Sequence, residues 1–178
     1  MFKKRTSSLE VGALNPYRLA AFLIAKRIAW DVHAQSWVSR AKLQSLRNSR
    51  AGQKAIILCN GPSLLKVDFE LVRQSNIYTF GLNKVNLLFT KTSYRPSCIV
   101  SVNSYVLQQN VEFFNKTPIP LFLDSRGLKF GIKSRSNVVF LHSALMRGEF
   151  AKDCSFSIFQ GYTVTYVAMQ LAYHMGFE

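Results

Sequence analysis

Five short apolar runs between residues 55 and 141 constrain the fold of this chain more than any other feature. Each is too short for a helix and does not alternate with polar residues, which is typical of strands buried on both faces of a sheet. Helical patterns over Leu82–Phe89 and Tyr105–Phe114 separate some of them. Alternating strands and helices predict parallel strands joined by right-handed crossovers, and so a Rossmann-like, doubly wound α/β fold. The runs are Ala55–Cys59, Ile77–Phe80, Ile99–Val102, Leu121–Leu123 and Val138–Leu141.

The end of the sequence predicts one more helix. Apolar residues recur at helical spacing between Thr163 and Met175, and Gly176 follows at the C-cap position. A helix with one buried face normally leads to another strand, yet the sequence stops at Glu178. We therefore expect a fragment, in which residues 53–178 form a Rossmann-like nucleotide-binding domain that lacks its last strands.

Residues 1–52 are more basic than the rest and predict a helical extension followed by a linker. They hold ten Lys and Arg against two acids, which is +8 of the total net charge of +14. Residues 1–14 have the composition of a loose basic tail, and Asn15-Pro16 is a typical helix start. Apolar residues then recur at helical spacing from Tyr17 to about Leu46, before a polar linker at residues 48–52.

Two interpretations of this extension stay open. Residues 15–46 could lie on an anionic membrane surface with Trp30 and Trp37 at the interface, or they could pack on the following domain. The apolar run Leu19–Ala25 is too short to span a bilayer, which takes roughly 20 residues, and no secretory cleavage site follows it. We expect a cytoplasmic protein, peripheral to the inner face of the membrane under the first interpretation. Nucleic acid is not a predicted partner, because the sequence has no base-reading motif.

The cysteine, histidine and aspartate residues give little sign of a metal site or of a catalytic group. The cysteines have no metal-ligand spacing, and Cys59 and Cys98 flank apolar runs, so both are expected to be buried. Asp124 has no carboxylate partner at a useful spacing, so no metal site is predicted. We expect His174 to be structural, and His142 is a weak candidate for a base.

Residues at the carboxyl ends of the strands are the candidates for ligand binding, because open parallel sheets bind ligands there. The loop Asn60–Ser63 follows the first run. Its glycine lets backbone N–H groups approach an anion, and Ser63 adds a hydroxyl donor. The loop is neither a GxGxxG fingerprint nor a P-loop, and an ordinary turn stays an alternative.

Two further positions extend this prediction. Asn83 and Asn103 follow the second and third runs, and their amides suit a pyrimidine edge or ribose hydroxyls. Three asparagines at three consecutive strand ends predict a common cleft. The segment Gln160–Thr165 opens the last helix, whose free N–H groups could hold a phosphate or carboxylate, although Thr163 could equally be a plain N-cap. The predicted nucleotide-binding residues are Asn60, Gly61, Pro62, Ser63, Asn83, Asn103, Gly161, Thr163 and Thr165.

These motifs resemble those of a known family. The string Ala55–Leu64, followed by Phe80–Asn83 and Val100–Asn103, looks like the 6-hydroxymethylpterin diphosphokinase MptE-like family. Gly161–Ala168 and Met175–Phe177 complete a similarity that covers about 125 residues in the same order. The series is also similar to that of the bacterial lipooligosaccharide sialyltransferases, which use a CMP-activated sugar on a Rossmann-like domain without metal.

The resemblance implies roles for individual residues. Asn60, Gly61 and Ser63 match the nucleotide-phosphate loop of the sialyltransferases, and Asn83 and Asn103 match asparagines that contact the ribose and the sugar nucleotide. Their segment that binds the base and carboxylate corresponds to residues 161–165. Their catalytic histidine and phosphate-holding tyrosines come after the last helix, at positions that this chain does not have. The catalytic residues are therefore unknown, and we expect weak nucleotide binding and little turnover.

The function implied is that of a glycosyltransferase-like enzyme of bacterial surface polysaccharide or lipopolysaccharide biosynthesis. It would transfer a sugar from a nucleotide donor, a CMP-sugar being one option, to a glycan acceptor, without a cofactor. The first alternative is a diphosphokinase of the MptE-like type that uses Mg-ATP. The second is an inactive nucleotide-binding fragment.

Overall fold

The computed structural model describes residues 15–144 and 149–178, so the predicted basic tail over residues 1–14 lies outside the described part. The chain divides into two compact units, residues 1–37 and 38–178. The second unit thus includes the end of the helical extension, whereas the composition had placed the boundary after residue 52. The extra segment belongs with the sheet because its side chains, such as Leu43, are buried in the hydrophobic core.

The extension is helical, but it forms two helices where a single pattern was expected. Helix α1 spans Pro16–Asp31 and α2 spans Ala34–Leu46. The predicted start is confirmed, since Oδ1 of Asn15 accepts the Tyr17 N–H at 3.0 Å. The chain leaves the first helix at residues 32–33, where Nδ1 of His33 accepts the Gln35 N–H at 3.2 Å and so caps the second helix.

Helix α1 presents large apolar side chains to solvent on more than one face. Tyr17, Ile24 and Ile28 fall on one side by helical spacing and are exposed, and Phe22 is exposed on another side. A single apolar stripe is therefore not present, and contact of residues 15–46 with an anionic membrane stays a prediction. Within the described residues, no helix is both long and apolar enough to cross a bilayer.

The predicted α/β fold of the Rossmann-like type is confirmed. The second unit is built on a sheet of five parallel strands in the order β1-β2-β3-β4-β5, flanked by helices. Each predicted apolar run became one strand, and the predicted ends agree with the observed ones to within two residues. The strands are Ala55–Leu58, Tyr78–Leu82, Cys98–Ser101, Leu121–Asp124 and Val138–Leu141. A small parallel pair, β6 (Ser143–Ala144) and β7 (Ile158–Phe159), follows.

Short helical segments connect the first five strands. Three are 3₁₀ helices, and the others are the short α-helices α3, α4 and α5. The predicted pattern over Leu82–Phe89 became a 3₁₀ helix, and that over Tyr105–Phe114 became two α-helices. In chain order the segments are Pro62–Lys66 (3₁₀), Phe69–Gln74 (α3), Val85–Thr90 (3₁₀), Ser104–Gln109 (α4), Val111–Lys116 (α5) and Ser125–Phe130 (3₁₀).

Alternating residues along the strands face two different layers. Phe80 and Leu82 share a core cluster with α6, the helix Val164–Met175, and with Leu43 of α2. Gly81 faces the opposite layer, where a Cβ would lie 2.8 Å from Cγ1 of Val85. The strand connection from β2 to β3 therefore packs closely on one face, and α6 with the second half of α2 covers the other.

The last helix forms where the sequence predicted it, with Gly176 as a left-handed cap at φ 85°. The prediction for His174 is confirmed, because it is 2% exposed and joins two elements. Its Nε2 lies 2.8 Å from the Leu43 carbonyl oxygen, and its Nδ1 lies 3.2 Å from the Cys154 backbone nitrogen. Since the Cys154 N–H must donate to Nδ1, the neutral imidazole carries its proton on Nε2.

The three cysteines are free thiols, and the prediction was right for Cys98 but wrong for Cys59. Cys98 and Cys154 are buried, and burial raises the pKa of each thiol to about 12. Cys59 is exposed, because β1 ends one residue earlier and the chain turns out of the sheet there.

Candidate functional site

The loop after β1 is tied to the end of β2 by the side chain of Asn60. Its Nδ2 donates to the carbonyl oxygen of Leu82 at 2.6 Å. Gly61 follows in an extended conformation with φ −97° and ψ 164°, and Pro62 begins the 3₁₀ helix. Asn60 thus joins two neighbouring strand ends, which is a positioning role that the sequence prediction did not include.

Gly61 is not required by the fold itself. A Cβ at this position would meet only Oγ of Ser63, at an ordinary contact distance of 3.5 Å. Its backbone φ is one that any residue adopts. The space beside Gly61 is therefore open to a ligand. Its own N–H already donates to the Cys59 carbonyl oxygen at 2.9 Å, so the expected presentation of this N–H to an anion is not found.

Asn83 ends β2 in a conformation that is uncommon for a residue with a side chain. Its φ is 47°, in the left-handed region, which asparagine tolerates better than most residues. Its N–H donates to the Val100 carbonyl oxygen at 2.9 Å, and its Oδ1 accepts from Oγ of Ser101 at 3.3 Å. Two bonds to β3 hold this strained turn in place, and such turns are common at ligand sites.

Asn60, Gly61, Pro62 and Asn83 line one cleft of about 470 Å³ at the carboxyl ends of β1 and β2. Its volume is within the range of small-molecule sites. The remaining lining residues are mostly apolar, with two lysines among them. They are Leu64, Leu65, Lys84, Val85, Leu87, Leu88, Lys91 and Val106. The cleft therefore combines amide groups, an apolar wall and positive charge.

The sequence prediction missed the two lysines of this cleft. Lys84 and Lys91 lie at the two ends of the 3₁₀ helix Val85–Thr90, and both line the cleft together with Asn83. A cation that directly follows a strand-ending asparagine was a usable signal. It was overlooked because a single lysine in a polar stretch normally indicates a solvated surface.

Asn103 and Ser63 lie outside the lining of the cleft. Oδ1 of Asn103 accepts the N–H groups of Tyr105 and Val106 at 2.9 Å and 3.4 Å, so it caps α4. The cap satisfies N–H groups that a helix start leaves without partners, and this requirement explains the residue. Two of the three asparagines thus share the cleft, and the third contributes only through Val106 of the helix that it caps.

The predicted residues at the start of α6 also lie outside the cleft lining. Thr163 is the N-cap, since its Oγ1 accepts the Thr165 N–H at 3.2 Å. Gly161 has φ 54°, and a Cβ there would lie 3.0 Å from the Tyr166 ring. Oγ1 of Thr165 is 3.7 Å from Sγ of Cys59. The segment is therefore beside the loop after β1, although it does not face the cleft.

A buried carboxylate fixes the segment that leads into α6. Asp124, at the end of β4, is 1% exposed and accepts from Nε of Arg126 at 2.6 Å and from Nε2 of Gln160 at 2.9 Å. The hydroxyl of Ser143 also donates to it. Since Gln160 precedes Gly161, this network sets where the helix begins. The structure thus gives Asp124 a positioning role.

His142, the weak candidate for a base, lies beside a serine. Nδ1 of His142 lies 3.1 Å from Oγ of Ser157, on the connection between the small strands. Among residues 15–144 and 149–178, no group of three or more His, Cys, Asp or Glu side chains could hold a metal ion. Comparison of the chain with family models, with curated proteins and with solved structures gave no match.

Proposed function

We propose that the cleft at the ends of β1 and β2 binds the nucleotide of an activated sugar, and that the chain is part of a glycosyltransferase-like enzyme. The observation that carries this proposal is the meeting of Asn60, Gly61 and Asn83 in one cleft with Lys84 and Lys91. A nucleotide has a flat base, hydroxyl groups and phosphates. The cleft offers an apolar wall, amides and cations, which are the complementary groups.

The division of labour follows from the chemistry of the lining. The leucine side chains suit the base, because removing an apolar face from water is favourable. The lysines suit the phosphates, and charge-assisted hydrogen bonds are about twice as strong as neutral ones. Gly61 leaves room for the ligand to cross the loop. In a transfer reaction, the same cations would stabilise the negative charge that develops on the departing nucleotide phosphate.

The choice of a sugar donor, of a glycan acceptor and of bacterial surface polysaccharide biosynthesis rests on the resemblance of the motifs. It is supported by the position of the cleft, which is where the matched residues Asn60, Gly61 and Asn83 lie. The resemblance assigns no catalytic base to this chain, so binding and catalysis are separate questions.

A thermal-shift experiment with CMP, UDP and Mg-ATP tests the proposal. A ligand at 100 times its dissociation constant stabilises by about 2.7 kcal/mol, and a protein of this size gains about 2–4 °C in Tm for each kcal/mol. We expect a shift with at least one pyrimidine nucleotide, and its loss in Lys84→Gln/Lys91→Gln. The control Lys129→Gln/Lys133→Gln removes the same charge from exposed positions elsewhere.

Each outcome bears on the proposal. Stabilisation by Mg-ATP alone would favour the diphosphokinase alternative, and no response to any nucleotide would contradict nucleotide binding. A response that survives in the Lys84/Lys91 variant but not in the control would place the nucleotide elsewhere. Nucleotide binding without transfer to any glycan would leave the inactive-fragment alternative standing.

A further inference from the structure

A second and larger cavity opens at the opposite edge of the sheet, where the strands begin. Its volume is about 1040 Å³, and its floor includes the first residues of β2 and β4, Tyr78 and Leu121. Helix α2 contributes Lys42 and Ser45, and the turn before β1 contributes Arg50 and Lys54. Nothing in the proposed nucleotide cleft requires this cavity, because the two lie at opposite ends of the strands.

The charge of the cavity is one-sided. Lys42, Arg50 and Lys54 line it, and none of the described residues in its lining carries a carboxylate. Within the described part of the chain, neither Arg50 nor Lys54 makes an ion pair. Positive charge without an acid in the lining raises the local concentration of anions.

Two of the three cations are held in place. Nζ of Lys42 donates to the carbonyl oxygens of Arg135 and Val138 at 3.0 Å and 2.9 Å. The guanidinium of Arg50 lies 5.3 Å from the centre of the Tyr78 ring, and its backbone N–H donates to the Met175 carbonyl oxygen at 2.8 Å. A guanidinium fixed over an aromatic ring loses little freedom when it binds an anion.

Hydroxyl and amide groups make up most of the remaining polar lining. Serines and amide residues come from α2 and from the segments that precede β1, β2, β3 and β5. The hydroxyls of Ser45 and Ser75 and the Nδ2 group of Asn137 already donate to backbone carbonyl oxygens, which leaves their oxygen atoms as acceptors for sugar hydroxyls. The serine and amide residues of the lining are Ser45, Ser75, Ser97, Ser136, Gln53, Asn76 and Asn137.

We propose that this cavity binds an anionic carbohydrate, a sugar chain that carries carboxylate or phosphate groups. Arg50 and Lys54 would bind the acidic groups, and the serine and amide side chains would bind the hydroxyls. A neutral sugar lacks the contacts with Arg50 and Lys54, and a simple anion lacks the hydrogen bonds between sugar hydroxyls and the serine and amide side chains. The proposal does not rest on the nucleotide cleft, and it holds or fails separately from it.

Isothermal titration with trigalacturonate tests the proposal, with neutral maltotriose and inorganic phosphate as probes of each half of the recognition. We expect trigalacturonate to bind, and to bind at least about tenfold more tightly than either control probe, since both kinds of contact contribute. Arg50→Gln/Lys54→Gln should weaken it about tenfold or more. Lys129→Gln/Lys133→Gln should leave the affinity unchanged. Raising the salt from about 0.05 M to about 0.5 M should weaken binding to the wild-type protein through screening.

Lys54→Glu provides a second variant that keeps Arg50 on its aromatic ring, so a loss of affinity there cannot come from disturbed packing. Equal binding of maltotriose and trigalacturonate would overturn the proposal, as would unchanged affinity in both charge variants. Tighter binding of a single-stranded oligonucleotide that depends on Arg50 and Lys54 would also overturn it, by making the cavity a nucleic-acid site. Nucleotide binding to the cleft, measured in the same variants, should be unaffected.

Discussion

Exchanging each of two glycines for valine separates what the fold requires from what ligand binding requires. Gly61 and Gly81 both have backbones that valine adopts, one in an extended loop and one within β2. Their surroundings differ. A Cβ at Gly61 would meet a single atom at 3.5 Å, whereas a Cβ at Gly81 would meet Val85 at 2.8 Å and Pro96 at 2.9 Å.

The expected changes in the free energy of unfolding have opposite signs. Gly61→Val should be neutral or should stabilise by up to about 1 kcal/mol, because it restricts the unfolded chain without a clash. Gly81→Val should destabilise by about 1–3 kcal/mol or more, because a branched side chain is forced into a filled layer. Urea denaturation followed by circular dichroism resolves a difference of this size.

The effect on nucleotide affinity should be the reverse, larger for Gly61→Val than for Gly81→Val. In Gly61→Val, a pyrimidine nucleotide should no longer raise the Tm, although the protein is folded. Gly81→Val, at a temperature where it is folded, should reduce the shift less, since its side chain meets Val85 in the wall of the cleft and does not enter the open space beside Gly61. Equal destabilisation by both changes would refute the packing argument, and undiminished binding in Gly61→Val would refute the placement of the ligand.

Two further predictions address the cysteines and the helical extension. Iodoacetamide should label Cys59 alone in the native protein at pH 8 and all three thiols in urea, because Cys98 and Cys154 are buried and burial raises their pKa to about 12. Mass spectrometry reads the result, and native labelling of either buried thiol would contradict the packing of the core. If the extension lies on a membrane, deleting residues 15–46 should abolish sedimentation with anionic liposomes. The matched deletion of residues 15–37 keeps the second half of α2, including the core residue Leu43, and so separates loss of membrane contact from damage to the core. Unchanged sedimentation in both deletions would reject the membrane interpretation.

The strands could be predicted because each carries its own signal. A buried strand such as Val138–Leu141 must be apolar on both faces, and no other short element has that requirement. The helices between the strands are less regular in the structure than in the pattern. The 3₁₀ helix Val85–Thr90 shows why, since Val85 packs against Gly81 at a distance that no sequence period encodes.

The candidate site was predictable only where one residue had one possible role. Asn60 and Asn83 end neighbouring strands, so the topology alone brought them together. Asn103 ends a strand in the same way, but the helix that begins beside it needs an acceptor for its first N–H groups, and that local requirement takes its side chain. Lys84 and Lys91 were missed because no strand end marks Lys91. The two lysines meet in the cleft only because the segment between them folds as a 3₁₀ helix.

The order of the strands decides how one nucleotide could contact both the cleft and the predicted residues at the start of α6. The five strands follow one another across the sheet in chain order, so no reversal of order occurs among them to open a crevice. After the fifth strand, helix α6 returns to pack on β1, β2 and β3, on the face opposite to Val85. The cleft and the start of α6 therefore lie on different faces of the sheet.

The loop after β1 is the place where the two faces meet. Cys59 at its start lies 3.7 Å from Thr165 of α6, and Gly61 in the same loop lines the cleft. A ligand with its base against the leucines could reach α6 only by crossing this loop. The residue at the crossing has no side chain, and the fold gives no reason for that absence. We therefore expect a substitution at Thr165 to leave the affinity for a nucleoside unchanged, because a nucleoside ends at the cleft. The same substitution should lower the affinity for a sugar nucleotide, which extends beyond the cleft.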